Sequence, residues 1–118
     1  MTELVACLST GKGTWGHVSR LINDGTWDNI ILITNEFGKE NFTNEKNALM
    51  IVVDARKPIA ELVDDIKNAL QEKIKGTEVA VNIISGEGKE HMALISALLK
   101  LGLGIRLVAL TMDGVKEI

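Results

Sequence analysis

Residues 4–16, LVACLSTGKGTWG, decide how the rest of the chain reads. A short apolar run, LVACLS at 4–9, gives way to a glycine-rich loop, and the residues after it, about 14–24, place Val18, Leu21 and Ile22 on one face of a short helix. An apolar run that is continuous rather than alternating marks a strand buried on both faces, as in a parallel sheet. Four more runs have this character: NIILIT at 29–34, ALMIVVD at 48–54, VAVNII at 79–84 and IRLVALT at 105–111.

Helical patterns lie between them. Residues 58–75 open with Pro58 and set Ile59, Leu62, Val63, Ile66, Leu70 and Ile74 three and four apart, an amphipathic helix with proline in its favoured first turn. Residues 89–101 are apolar over most of their circumference, with Lys89, Ser96 and Lys100 as a narrow polar stripe, and Gly102 and Gly104 supply the stop. The link NEFGKENFTNEKN, 35–47, is polar, has room for one or two helical turns, and is placed to project over a ligand face. Asp113 and Glu117 read as a solvated polar tail. Strands alternating with helices predict one α/β domain over 1–118: a Rossmann-like three-layer sandwich on a mainly parallel five-stranded sheet, order 3-2-1-4-5, with right-handed crossovers.

Composition narrows the function. The 118 residues are 46% hydrophobic, enough for one core. The longest uninterrupted apolar run, IILI at 30–33, is far short of the roughly 20 residues a membrane span needs, and the N-terminus lacks a leader pattern, so a soluble cytoplasmic protein without membrane contact is expected. A net charge of −3 gives no footprint for general nucleic-acid binding. The only cysteine, Cys7, falls inside the first strand and reads as core. Two histidines without a carboxylate at ligand spacing suggest no metal site, and no cofactor is called for.

In the order 3-2-1-4-5, strands one and four are neighbours at the switch point, where open α/β sheets bind ligands. Two loops of one grammar meet there, STGKGTWG at 9–16 and SGEGKEH at 85–91: a hydroxyl residue, glycines, a lysine, then a helix start. Glycine lets a ligand approach the backbone, and amides at a helix start donate to an anion. The dipole alone gains only about 0.3–1 kcal/mol, so Lys12 and Lys89 are needed for charge. Each loop taken alone also reads as an ordinary strand-to-helix turn. His17 and His91, near the two helix starts, suit neutral contacts to phosphate or ribose, or else are plain surface histidines. Trp15 suits stacking on a base, covering the loop or filling a subunit contact.

Residues 11–16, GKGTWG, spell the GxGxxG dinucleotide fingerprint, and Glu36 stands 20 residues after Gly16, where an acid could hold a ribose. That fingerprint leaves the second loop unexplained, and the phosphate-loop pattern GxxxxGK[ST] is in neither loop.

A first strand ending in STG, and a fourth ending in SGEGK that opens the apolar helix HMALISALLKLG with a fifth strand directly after, resemble the CRISPR-associated Rossmann-fold (CARF) sensor domains. The resemblance implies a two-fold homodimer binding a cyclic oligoadenylate, or a related nucleotide, across the subunit interface, in antiviral signalling or its shut-off. Some members of that family cleave the ring as standalone ring nucleases without a metal. It assigns Ser9, Thr10 and Gly11 to the first loop and Ser85, Gly86, Gly88 and Lys89 to the second. In cleavage a ribose 2′-hydroxyl would attack the neighbouring phosphate, with Lys89 stabilising developing charge and Ser9 or Thr10 orienting the reacting groups. The ligand-binding set is completed by Lys12, Gly13, Thr14, Trp15, His17, Glu87 and His91.

Glu87 departs from the pattern by putting an acid inside a phosphate loop. A NAD(P)- or flavin-type dinucleotide module, and a non-catalytic regulatory subunit that has lost its ligand, therefore stay open beside the sensor reading. Independently of the family, the poorly polar helix 89–101 is expected either to face a second copy or to be flanked by its neighbours in the chain.

Overall fold

The computed structural model describes residues 2–9 and 12–118. Six strands form one sheet: β1 (Glu3–Leu8), β2 (Asn29–Thr34), β3 (Leu49–Val52), β4 (Glu78–Asn82), β5 (Gly104–Thr111) and β6 (Gly114–Glu117). Their order is β3-β2-β1-β4-β5-β6, parallel up to β5, which is compatible with a Rossmann-like arrangement. Four α-helices flank the sheet: α1 (Trp15–Asp24), α2 (Glu36–Asn41), α3 (Ile59–Leu70) and α4 (Gly88–Lys100).

The expected five-strand order is embedded in this sheet, but it lacked the sixth member. Residues read as a solvated tail turn back at Met112 and Asp113 and pair antiparallel with β5, with Val108 opposite Glu117 and Thr111 opposite Gly114. Gly114, at φ +101°, supplies the left-handed residue of this tight turn. Glu117 is exposed, as expected, but also ion-paired: Arg106 stands between Glu78 on β4 and Glu117 on β6 at 3.3 and 3.4 Å. A four-residue edge strand with Val115 as its one apolar residue carries almost no pattern to read.

Every residue of β1 is buried. Val5 and Cys7 join Ile31 and Ile33 under α3 and α4, while Leu4, Ala6 and Leu8 join Leu32 and Ala80 under α1. Burial on both faces is why these strands read as continuous apolar runs; each fully buried Leu or Ile contributes about 1.5–3 kcal/mol.

Helix ends follow local chemistry. Pro58 stands just before α3 as its N-cap. Asn35 caps α2 by accepting the Gly38 N–H at 2.8 Å. Past α4, Gly102 (φ +75°) donates to Leu99 O and Leu103 N–H to Leu98 O, the paired bonds of a Schellman closure. No helix among the described residues is long and apolar enough to cross a membrane.

Candidate functional site

The carboxyl ends of β1 and β4 bring the two glycine loops together. The Ser9 N–H donates to Ser85 Oγ at 3.2 Å, in the buried floor between them. Thr10 and Gly11 lie outside the described residues, as does the side chain of Lys12. Gly13 and Thr14 follow in a 3-10 turn, Lys12–Thr14; Gly13 is exposed, with open space where a Cβ would be, and Thr14 is half-buried.

The second loop shows why its residue types are needed. Gly86 has φ +101°, a conformation that costs other residues on the order of 1–3 kcal/mol, and a Cβ there would stand 3.2 Å from His91 Nε2 and 3.4 Å from Ser9 Oγ. His91 Nε2 lies 2.8 Å from Ser85 O; a carbonyl only accepts, so Nε2 carries the hydrogen. Gly88 opens α4 with open space around its Cα. The N–H groups of Gly88 and Lys89 make no hydrogen bond to any described residue, and Lys89 is exposed with no ion pair among them. The first turn of α4 thus holds two unspent amides and a lysine without an ion pair among the described residues.

Glu87 is exposed, and its own N–H is already given to the carboxylate of Glu90, Oε1, at 3.3 Å. With the Glu87 carboxylate taking the Glu90 N–H in return, this is a capping box, signalled in sequence by acids three residues apart at a helix start. Glu87 therefore has a structural duty at the helix start, which accounts for an acid in a loop otherwise suited to anions.

The structure gives Trp15 and His17 structural partners. Trp15 is only 8% exposed; its ring packs on Phe37 and Phe42 at 5.7 and 5.8 Å, and its indole N–H donates to Ser9 O at 2.8 Å. Of the roles open to it, covering the loop is the one this geometry fits. His17 Nε2 receives the Leu110 N–H and the Asn82 amide, both at 3.3 Å, so that nitrogen is a bare acceptor. Asn82 also donates to Val108 O at 2.9 Å, tying β4 to β5 just where their ladder stops.

Beside these loops lies a cavity of about 870 Å³, outside the carboxyl ends of β1, β2 and β3. Apolar lining comes from Phe37, Ile51, Val53 and Ala69, and the carboxylates around it are Glu36, Asp54, Asp65, Glu87 and Glu90. Two cations line it as well, each already paired: Arg56 with Asp54 at 3.0 Å and Lys57 with Asp65 at 2.8 Å. The Arg56 guanidinium holds the Asp54 carboxyl below its usual range, and Asp65 holds Lys57 above its own. Sequence reasoning placed Glu36 here but missed Asn35, Asp54, Asp65 and Glu90. Asn35 directly after a strand was a readable N-cap signal; Asp65, on a helix among other charged residues, gave none.

On the outer face of α4, Met92 and Leu99 are 66% and 62% exposed and, with Ile95 and Ser96, line an apolar groove of about 580 Å³ that starts at His91. Among the described residues, no group of three or more His, Cys, Asp or Glu could hold a metal ion. Compared with known proteins, the chain matches no family model and no curated protein closely enough to count as a relative.

Proposed function

We propose that this chain is a CARF-like nucleotide sensor that works as a cytoplasmic homodimer and binds a cyclic oligoadenylate between its two copies. The observation that carries the reading is the junction of the glycine loops through the Ser9–Ser85 hydrogen bond, with the amides of Gly88 and Lys89 unspent beside the Lys89 ammonium. That combination suits a phosphodiester: backbone donors fix the oxygens and a mobile cation balances them. The apolar groove on α4 supports the dimer. It begins at His91, so a second copy seated on it would bring its own SGEGK loop close by and present a two-fold symmetric ligand with matching donors.

Ring cleavage is the extension of this reading. Lys89 would balance charge developing on the phosphoryl oxygens as a ribose 2′-hydroxyl attacks, and the buried Ser9 would orient the ribose or phosphate. The dinucleotide module is the weaker reading, because Gly16 is exposed and a Cβ there would meet nothing within 4 Å. The third glycine of that fingerprint ordinarily serves close packing of helix on strand, and here it has no such task.

Calorimetry and product chromatography with cyclic tetra- and hexaadenylate test the proposal, together with sedimentation of the Met92→Glu, Leu99→Glu double variant. Binding by the dimer, lost when the α4 face is charged, is expected. A dimeric sample that neither binds nor turns over either ring contradicts it.

A further inference from the structure

The cavity beside the glycine loops is chemically unlike them. Five carboxylates line it against two cations, and both cations are tied to carboxylates, which leaves Glu36, Glu87 and Glu90 without a cation among the described residues. Such a wall repels phosphate. It is equally unsuited to a metal ion, since no cluster of three ligands is assembled among the described residues.

Two buried groups along this wall are unspent. Ser9 is 3% exposed and lines the cavity, and its hydroxyl makes no hydrogen bond to a described residue. Glu90 is 7% exposed and also lines it; Oε1 takes the Glu87 N–H, while Oε2 has no hydrogen-bond partner among the described residues. Both open oxygens reach the solvent of the cavity rather than being sealed from it, so they are acceptors at which a ligand's donors can replace water.

We propose that this cavity takes the nucleoside part of a nucleotide. Its ring would lie on Ile51, Val53 and Ala69, and its hydroxyl and amino groups would donate to Glu36, Glu90 and Ser9. Size and composition agree: ligand sites are clefts of about 300–1,000 Å³ with apolar lining and a few convergent polar groups. Position agrees too, because Glu87 and Glu90 belong to the same helix start as the free amides of Gly88 and Lys89. The base and ribose would sit over β2 and β3, with the phosphate at the SGEGK loop. This inference rests on the nucleotide reading above but uses residues that reading leaves idle.

The test is amide chemical-shift mapping of the intact chain with three probes: adenosine, inorganic phosphate and spermidine. Adenosine is expected to move the amides of Glu36, Ile51, Val53 and Ala69. Two variants, Glu36→Gln at an exposed position and Ala69→Leu to fill the cavity, should each weaken it about tenfold or more, the loss that goes with one charge-assisted hydrogen bond or a blocked ring site. Phosphate or spermidine moving the cavity amides in place of adenosine overturns the proposal. So does adenosine moving only residues 85–91, or none, while cyclic tetraadenylate binds; the nucleotide reading would then survive alone. Adenosine bound in the cavity of a protein indifferent to cyclic oligoadenylates leaves the nucleoside site standing and removes the sensor reading.

Discussion

Two buried carboxylates, at opposite ends of the sheet, are used differently. Glu3, 1% exposed at the amino end of β1, is saturated: it receives the N–H groups of Lys75 (2.9 Å) and Gly76 (2.6 Å) and the Asn29 amide (3.1 Å). Glu90, 7% exposed at the carboxyl end, receives one N–H at 3.3 Å. A buried carboxylate with a full set of donors staples turns together, whereas one with an open oxygen adds little to stability and remains available to a ligand. The amino end of the sheet is closed by its own chain, and unspent groups collect at the carboxyl end, where open α/β sheets bind.

The largest effect should come from the closed end. Glu3→Ala leaves two backbone amides and the Asn29 side chain without their acceptor and is expected to cost about 3 kcal/mol in denaturant unfolding. Glu90→Gln should cost less than about 1 kcal/mol by the same measurement; equal losses would erase the contrast between the two ends. Next comes Gly86→Ala, expected to destabilise by about 2 kcal/mol from its positive φ and the approach of His91. Gly88→Ala should stay within about 0.5 kcal/mol, because its surroundings are open. If the two glycine variants behave alike, Gly86 is not the conformational hinge of the second loop.

Cys7 sharpens the comparison through pH. Burial first, and the Glu90 carboxylate second, push its thiol from 9.0 up to about 12. The folded chain thus keeps a proton that the unfolded chain loses above pH 9. Stability from this group is whole below that pH and should fall by about 1.4 kcal/mol per unit as pH rises toward 12. The difference in slope between the wild type and Cys7→Ala reads it out, and parallel profiles would refute it. The smallest stability effect belongs to Lys89→Ala, whose side chain is exposed and unpaired among the described residues. Its melting curve should match the wild type within about 0.5 kcal/mol even as ligand binding is lost.

Much of the fold was legible because β1 is buried at every residue and β2 and β4 at every residue past their first one or two. Half-buried edges are quieter: β6 holds its place through pairing with β5 and the Arg106 bridge, which only the tertiary structure reveals. The meeting of the two loops could be read because each directly follows a strand end and those strands are neighbours in the sheet; their glycine, lysine and hydroxyl residues suit an ordinary strand-to-helix turn as well as a ligand. His17 and Trp15 were ambiguous for the opposite reason. A histidine beside a helix start looks the same in sequence whether it meets a ligand or, as at Asn82 and Leu110, completes the chain's own hydrogen bonds. The acidic cavity drew on residues from α2, the loop after β3, α3 and α4, and no local spacing joins them.

Unspent donors at the SGEGK loop are expected to meet a nucleotide. Isothermal titration of the dimeric protein with cyclic tetraadenylate measures this directly, with Lys89→Ala as the paired sample. Saturable binding at one ring per two chains, lost or weakened at least about tenfold in the variant, is the predicted result. No heat of binding from a folded, dimeric wild type, or equal binding by the variant, would contradict it.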